Sequence, residues 1–264
     1  MRLTETAIMI ALGTVLSIIK LVDLPYGGSV TVAHMLPVIL IAYRYGAKWG
    51  FLSGSAYGLL QLLLGMKNLS YATSIWAGIA IIVFDYILAY SAMGIAGCFS
   101  KQKNQPKALL LGGFLVFLTR YICHVISGCT VWAGLSVPTK DALIFSVIYN
   151  ATYMIPEAIV TLILGFYLSF VLDFHSEKLT RLTISSASKK TWVLGLVAGL
   201  VLIVSLIIDT CTVFAVMQDA ETGTFTAASL ANLPWCFLGV QTGIALLIFA
   251  VLKILAKTIS DKEV

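Results

Sequence analysis

Asp85, Arg120, His124, Glu157 and Asp209 each interrupt a long apolar run, and an ionisable group in such surroundings marks a place where chemistry is held. Asp85 is the single carboxylate of Ile82-Val83-Phe84-Asp85-Tyr86-Ile87-Leu88-Ala89-Tyr90. Arg120, His124, Gly128 and Trp132 recur four residues apart, which stacks them on one face of a helix. Phe145, Tyr149, Tyr153 and Glu157 repeat that spacing on a second stripe, with Ser146 and Asn150 on the next. The set offers a carboxylate, an imidazole, a carboxamide and several aromatic faces, which suits a small, flat, partly cationic heterocycle. A carboxylate accepts from an exocyclic amine or holds the proton of a ring nitrogen. An Asn pairs with a heterocycle edge as it does with adenine. A ring cation over an aromatic face gains about 0.5–2 kcal/mol, and more where water is excluded.

These residues must be positioned by elements that live in a membrane. Apolar residues make up 59% of the 264 and charged ones 11%, against roughly 45–50% and 25% in a soluble domain. The mean hydropathy of +0.98 agrees. There is too little polar surface to cover a water-soluble globule, so a soluble enzyme, a disordered chain and a secreted disulfide scaffold are excluded. Cys98, Cys123, Cys129, Cys211 and Cys236 lie in or beside apolar runs without C-x-x-C or a His at ligand spacing, and read as small buried hydrophobes with no metal site. Arg2 and Glu5 precede an apolar run that lacks a small-residue cleavage site, so it is expected to be a first span rather than a cleaved signal.

A membrane helix needs about 20 mostly apolar residues. That criterion predicts eight spans, near 4–22, 30–45, 47–65, 71–99, 108–133, 141–172, 191–217 and 229–257, with kinks at Pro37 and Pro156. The expected fold class is an all-α integral membrane protein. With the N-terminus inside, Lys and Arg fall overwhelmingly on the inner side, leaving Lys20, Lys67 and Lys140 outside and Arg120 within a span. Both termini are therefore expected in the cytoplasm of a multi-pass plasma-membrane protein. The net charge of +5 is topological and points to no nucleic acid. The longest polar stretch, 173–190, is expected to be a cytoplasmic linker between a six-span unit, 1–172, and a two-helix C-terminal extension, 191–264, of unassigned role. No repeat relates the halves, which disfavours an inverted-repeat transporter.

Plainer roles compete at each position. Asp85 has Arg120 or Lys67 as an assembly partner, and Arg120, near the inner end of its span, has the reach to snorkel to the interface. Trp49 and Trp192 sit at span ends, as interfacial aromatics do, and Trp132 lies close to one. Glu157 and Asp209 are expected to be structural. Small residues four apart, at Gly50–Gly54–Gly58, Gly195–Gly199 and Gly239–Gly243, read as helix packing. Ala7–Ala11 opens the first span, where an outward stripe suits a partner helix.

Several stretches together carry a family resemblance. Pro25-Tyr26-Gly27-Gly28-Ser29-Val30 with Met35-Leu36-Pro37-Val38, then Asp85-Tyr86-Ile87-Leu88-Ala89-Tyr90 with Gly94-Ile95-Ala96-Gly97, occur in order. Arg120-Tyr121-Ile122-Cys123-His124-Val125-Ile126-Ser127-Gly128 with Trp132, and Tyr149-Asn150, follow. The pattern resembles the thiamine-specific substrate-binding (S) components of energy-coupling factor (ECF) vitamin transporters. The resemblance implies a six-helix bundle over 1–172 that captures thiamine, or a close pyrimidine or thiazole relative, from outside. It implies an acidic pyrimidine ligand at Asp85, further pocket residues at His124, Trp132, Phe145, Tyr149 and Asn150, and Tyr86 beside the thiazolium. It also implies that Ala7–Ala11 meets a transmembrane coupling subunit joined by two ATPase subunits.

Some positions depart from the family pattern. Asp85 stands where Glu is expected, Phe145 replaces a Tyr, Gly28 lies where some members carry a loop Trp, and the last two spans have no counterpart. The chain has no G-x-x-x-x-G-K-[ST], so ATP hydrolysis would come from partners, and no cofactor is expected. One alternative keeps the transport and makes the chain a solitary proton-coupled carrier using Asp85, Glu157 and Asp209. More remote alternatives are a structural membrane subunit, or an intramembrane enzyme built on His124 and Asp85. Without G-x-S-x-G, H-E-x-x-H or paired metal carboxylates, no catalytic residue is assigned.

Overall fold

The computed structural model describes residues 1–24, 27–72, 74–133, 140–182, 186–218 and 227–262; the side chains of 130–133, 186–189, 227–228 and 260–262 lie outside that description. Helix α1 (Arg2–Ile18) leads into a hairpin of β1 (Lys20–Asp23) and β2 (Ser29–Thr31). Val22 pairs with Val30 and Asp23 with Ser29. The apolar runs expected at 4–22 and 30–45 are thus partly strand. The reason lies in the residues between them: Lys20 and Asp23 pair at 2.9 Å, and Gly27 takes a φ of 89° that other residues rarely adopt. Pro37 sits in the first turn of α2 (Leu36–Tyr45), where its missing N–H is no loss, rather than kinking a longer span. Gly46, at φ 85°, then turns the chain directly into α3 (Ala47–Leu64).

A 3₁₀ segment, Met66–Tyr71, precedes the span Ile75–Phe99, whose hydrogen bonding changes along its length. It begins as α4 (Ile75–Ala80), widens to a π-helix over Ile81–Leu88, returns to α-helix in α5 (Ala89–Ser91) and tightens to 3₁₀ over Ala92–Phe99. Asp85 and Tyr86 lie in the π-helical part, an irregularity frequent where side chains are functional. The long helices α6 (Gln105–Ala133) and α7 (Lys140–Val171) pack on one another, and α7 runs unbroken through Pro156. A small hairpin, β3 (Leu172–Asp173) with β4 (Thr180–Arg181), leads to α8 (Ser186–Met217) and α9 (Trp235–Lys262). Among the described residues, five helical segments are long and apolar enough to cross a membrane: Ile75–Phe99, Gln105–Cys129, Lys140–Val171, Lys190–Met217 and Trp235–Ile259.

The glycine stripes decide which helices touch. A Cβ on Gly50 would lie 2.8 Å from the Gly94 Cα, and one on Gly54 or Gly58 would strike the carbonyl of Tyr90 or Tyr86. Helix α3 therefore seats its stripe on the backbone of the Asp85 span. Gly199 plays the same part against Tyr167, with a Cβ reaching 2.7 Å from its ring, whereas Gly239 and Gly243 have nothing within 4 Å. A buried cluster around Met35, Tyr57, Tyr90, Met93 and Phe117 fills the centre of the N-terminal unit.

Two regions refine the expected division of the chain. Residues after α7 are fastened back onto the bundle: Arg44 donates to the carbonyls of Phe174 (3.1 Å) and Glu177 (2.6 Å), and Gln105 Nε2 donates to those of Ser169 and Leu172 at 2.7 Å. In the C-terminal pair, Thr242 donates to Asp209 Oδ2 at 2.7 Å and Ser205 to Gln241 Oε1 at 3.1 Å. Asp209 thereby ties α8 to α9.

The close approach at Gly54 yields a stability prediction. Gly54→Val should overpack the α3 seam and cost about 1–3 kcal/mol. Gly239→Ala, inside α9 with nothing within 4 Å, should not lower the thermal unfolding temperature in detergent and should raise it slightly, as Ala replaces Gly in a helix.

Candidate functional site

The ends of α1 and α3, the hairpin, His34, the 3₁₀ segment, the Asp85 span, α6 and α7 converge on a cavity of about 450 Å³, within the range of small-molecule sites. Asp85, Tyr86, His124, Tyr149 and Asn150 line it. Three helices supply them, because the fourfold spacings on α6 and α7 turn one face of each helix inward.

At its centre is a relay of three charged or polar side chains. Arg120 Nε donates to His124 Nε2 at 3.2 Å, which leaves the imidazole proton on Nδ1. Nδ1 stands 2.8 Å from Asp85 Oδ1. The contact is close but lacks hydrogen-bond alignment, and Oδ1, itself buried, has no hydrogen-bonding partner among the described residues. Asp85 Oδ2, by contrast, accepts from Ser127 Oγ at 2.9 Å. The carboxylate is thus hydrogen-bonded through Oδ2 and packed against His124 through the buried Oδ1, with its side chain 22% exposed.

Arg120 does not snorkel to the interface. It is 7% exposed, lies 4.8 Å from the Tyr90 ring centroid, donates to the Tyr90 hydroxyl at 3.3 Å and contacts the Met35 sulfur. Burial of its stem and three partners for its guanidinium outweigh the reach that would have taken it to water.

The aromatic and amide groups are equally fixed. The Tyr86 hydroxyl accepts from Asn68 Nδ2 at 3.0 Å and donates to the Gly65 carbonyl at 3.1 Å, with its ring stacked on Tyr90 at 6.4 Å. Asn150 Oδ1 accepts from the Tyr153 hydroxyl at 2.7 Å, while its amide donates to the carbonyls of His124 (3.3 Å) and Ser146 (2.8 Å). Much of the edge-reading capacity expected of Asn150 is therefore engaged within the protein, leaving a lone pair on Oδ1. Phe145 does not line the cavity; it stacks behind Tyr149, ring planes 5° apart and centroids 6.0 Å apart. Helix α6 reaches Trp132, whose side chain lies outside the described residues.

A second polar network borders the cavity, and sequence reasoning passed over most of it. Glu157, 2% exposed, accepts from the Thr31 amide at 2.6 Å and from the Thr31 hydroxyl at 2.8 Å. His34 lies with Nε2 3.7 Å from the same carboxylate and Nδ1 2.8 Å from the Tyr57 hydroxyl. The structural role expected of Glu157 is met here, since it fastens strand β2 to α7, yet it also faces the cavity. His34 satisfied the criterion that singled out Asp85 and His124, an ionisable group inside an apolar segment. Thr31 carried no such signal, because its importance arises only from the hairpin. No group of His, Cys, Asp and Glu among the described residues has the arrangement of a metal site.

Removing the carboxylate at 157 should show what the network holds. Glu157→Ala strands two buried Thr31 donors at a cost of about 1–3 kcal/mol each. Glu157→Gln, which keeps an acceptor for the amide, should recover much of the loss in thermal unfolding.

Known proteins resemble this chain in sequence. The family model described as "Thiamine transporter protein (Thia_YuaJ)" matches residues 3–175, a range that holds every residue lining the cavity. The thiamine transporter ThiT of Bacillus subtilis (strain 168) is 34% identical over 171 residues, covering 60% of this chain and 85% of that protein. Helices α8 and α9 lie beyond both the matched range and the cavity. The chain that builds this cavity belongs to the thiamine transporter protein family.

Proposed function

We propose that this protein takes up thiamine across the membrane as the substrate-capturing component of an energy-coupling factor transporter, with the cavity as its thiamine site. The observation that carries the site is Asp85, a carboxylate that lines the cavity with its side chain 22% exposed and is held from behind by Ser127 and His124. An aminopyrimidine supplies an N–H donor for this carboxylate. Its exocyclic amine donates to the exposed part of the carboxylate, which Ser127 and His124 already hold in place. The thiazolium, a permanent cation, lies against the tyrosine faces, where removal from water strengthens cation–π attraction to about 2 kcal/mol. Asp lacks one methylene relative to Glu, and the π-helical widening of Ile81–Leu88 supports its reach by shifting the backbone at Asp85.

Capture forms no bond in the cargo, and uptake needs energy from elsewhere. The chain carries no phosphate-binding G-x-x-x-x-G-K-[ST], so the reading assigns ATP hydrolysis to two partner ATPases acting through a transmembrane coupling subunit. Ala7 and Ala11 support a docking role, because both are exposed on α1. The basic-residue bias supports eight spans in the plasma membrane with both termini cytoplasmic. In that arrangement α1, α2 and α3 complete the spans that the five long helices begin.

Two measurements test the reading. Calorimetry should find thiamine binding by the wild type, and Asp85→Asn should weaken it about 10- to 100-fold, the value of a charge-assisted hydrogen bond; absence of wild-type binding refutes the site. Ala7→Leu with Ala11→Leu should abolish uptake while binding persists, since bulk on a small-residue stripe keeps helices apart. Uptake that continues in cells lacking every coupling subunit would identify a solitary carrier instead.

A further inference from the structure

The pair α8–α9 lies outside the family-matched range 3–175, yet it is packed against the thiamine cavity's own wall. One buried apolar cluster joins Leu24 and Val30 of the β1–β2 hairpin, Tyr149, Tyr153 and Met154 of α7, Phe214 and Met217 of α8, and Leu233 and Leu238 at the entrance to α9. Met217 is 0% exposed and Val30 1%. Helix α8 also touches β1 directly.

The far side of the same residues faces the cavity. Tyr149 and Tyr153 line it, and so does Gly28 at the hairpin turn. The Gly28 amide donates to the Tyr149 hydroxyl at 3.0 Å. A Cβ on Gly28 would lie 2.7 Å from that hydroxyl and 2.8 Å from the Tyr153 ring, so the turn is pressed onto the tyrosines. A two-stranded hairpin is marginal by itself and needs a surface to pack on. Here α7 supplies one part of that surface and the C-terminal pair supplies the rest.

We propose that α8–α9 is a brace built into the transporter, with Phe214 and Met217 as positioning residues that hold the β1–β2 hairpin closed against the thiamine cavity. The proposal rests on the reading of this cavity as the thiamine site, but its mechanical part does not require ligand. Loosening the cluster should free the hairpin first, because the hairpin has the least surface of its own, and thiamine should then leave faster.

Hydrogen exchange of the full-length protein in nanodiscs separates these possibilities. In Phe214→Ala and Met217→Ala, amides of 20–31 should exchange at least about tenfold faster without ligand, the result of emptying a buried site beside them, while α3 amides keep their protection. Met217→Leu, similar in volume, should restore slow exchange. Val240→Ala, on a face of α9 that is 64% exposed, should match wild type. Thiamine release, followed by tryptophan fluorescence after dilution, should accelerate in the same two alanine variants alone. Unchanged exchange of 20–31 overturns the brace, as does faster exchange without faster thiamine release. Failure of the wild type to bind thiamine, with the exchange result intact, refutes the cavity's assignment and leaves the brace standing.

Discussion

The structure turns on a carboxylate held inside an apolar helix. A charged side chain at the centre of a bilayer costs about 2.5–3.5 kcal/mol on insertion scales, so Asp85 persists there only because the surrounding helices answer it. Ser127 donates to one oxygen, and His124, itself oriented by Arg120, stands by the other. Each partner comes from α6, which fixes how that helix lies against the Asp85 span. Arg120 is in turn held by Tyr90 of the Asp85 span and Met35 of the segment leading into α2. One carboxylate therefore sets the relative positions of three elements, and its exposed part gives the cavity its chemical character.

The remaining polar groups of the cavity follow the same logic. Thr31 satisfies Glu157 with two donors, and the bond spans the distance between the first hairpin and α7. Tyr86 and Asn150 are each committed to at least two partners, so their orientations exist before any ligand arrives. Groups fixed in advance lose little freedom on binding, which is how a small site reaches high affinity. Tyr149 and Tyr153 serve twice, lining the cavity and belonging to the buried cluster that carries the hairpin and α8.

Much of this was readable from residue types because a membrane penalises every polar group that lacks a purpose. Asp85 and His124 stood out against apolar neighbours, and fourfold spacing on α6 and α7 brought the cavity-lining residues to one face of each helix. The glycine stripes at 50–54–58 and 195–199 were readable as packing surfaces and meet backbone or Tyr167 in the fold. Arg120 stood open between two roles, since reach to the interface and a buried network of partners look the same along one helix. Phe145 shared the stripe of Tyr149 but stacks behind it, because a stripe is wider than the strip of it that faces a cavity. Thr31 and His34 gained their roles from a hairpin that hydropathy alone blended into two spans.

The sequence by itself determined the solvent, the helical class and the identity of the carboxylate inside the apolar run. Each follows from composition or from spacing along one element, and needs no knowledge of neighbours. Only the tertiary structure decided that Arg120 turns inward, that Glu157 ties strand to helix, and that the C-terminal pair stands behind the cavity wall. Those outcomes depend on which surfaces meet, and a one-dimensional pattern records a residue's face without recording what is packed against it.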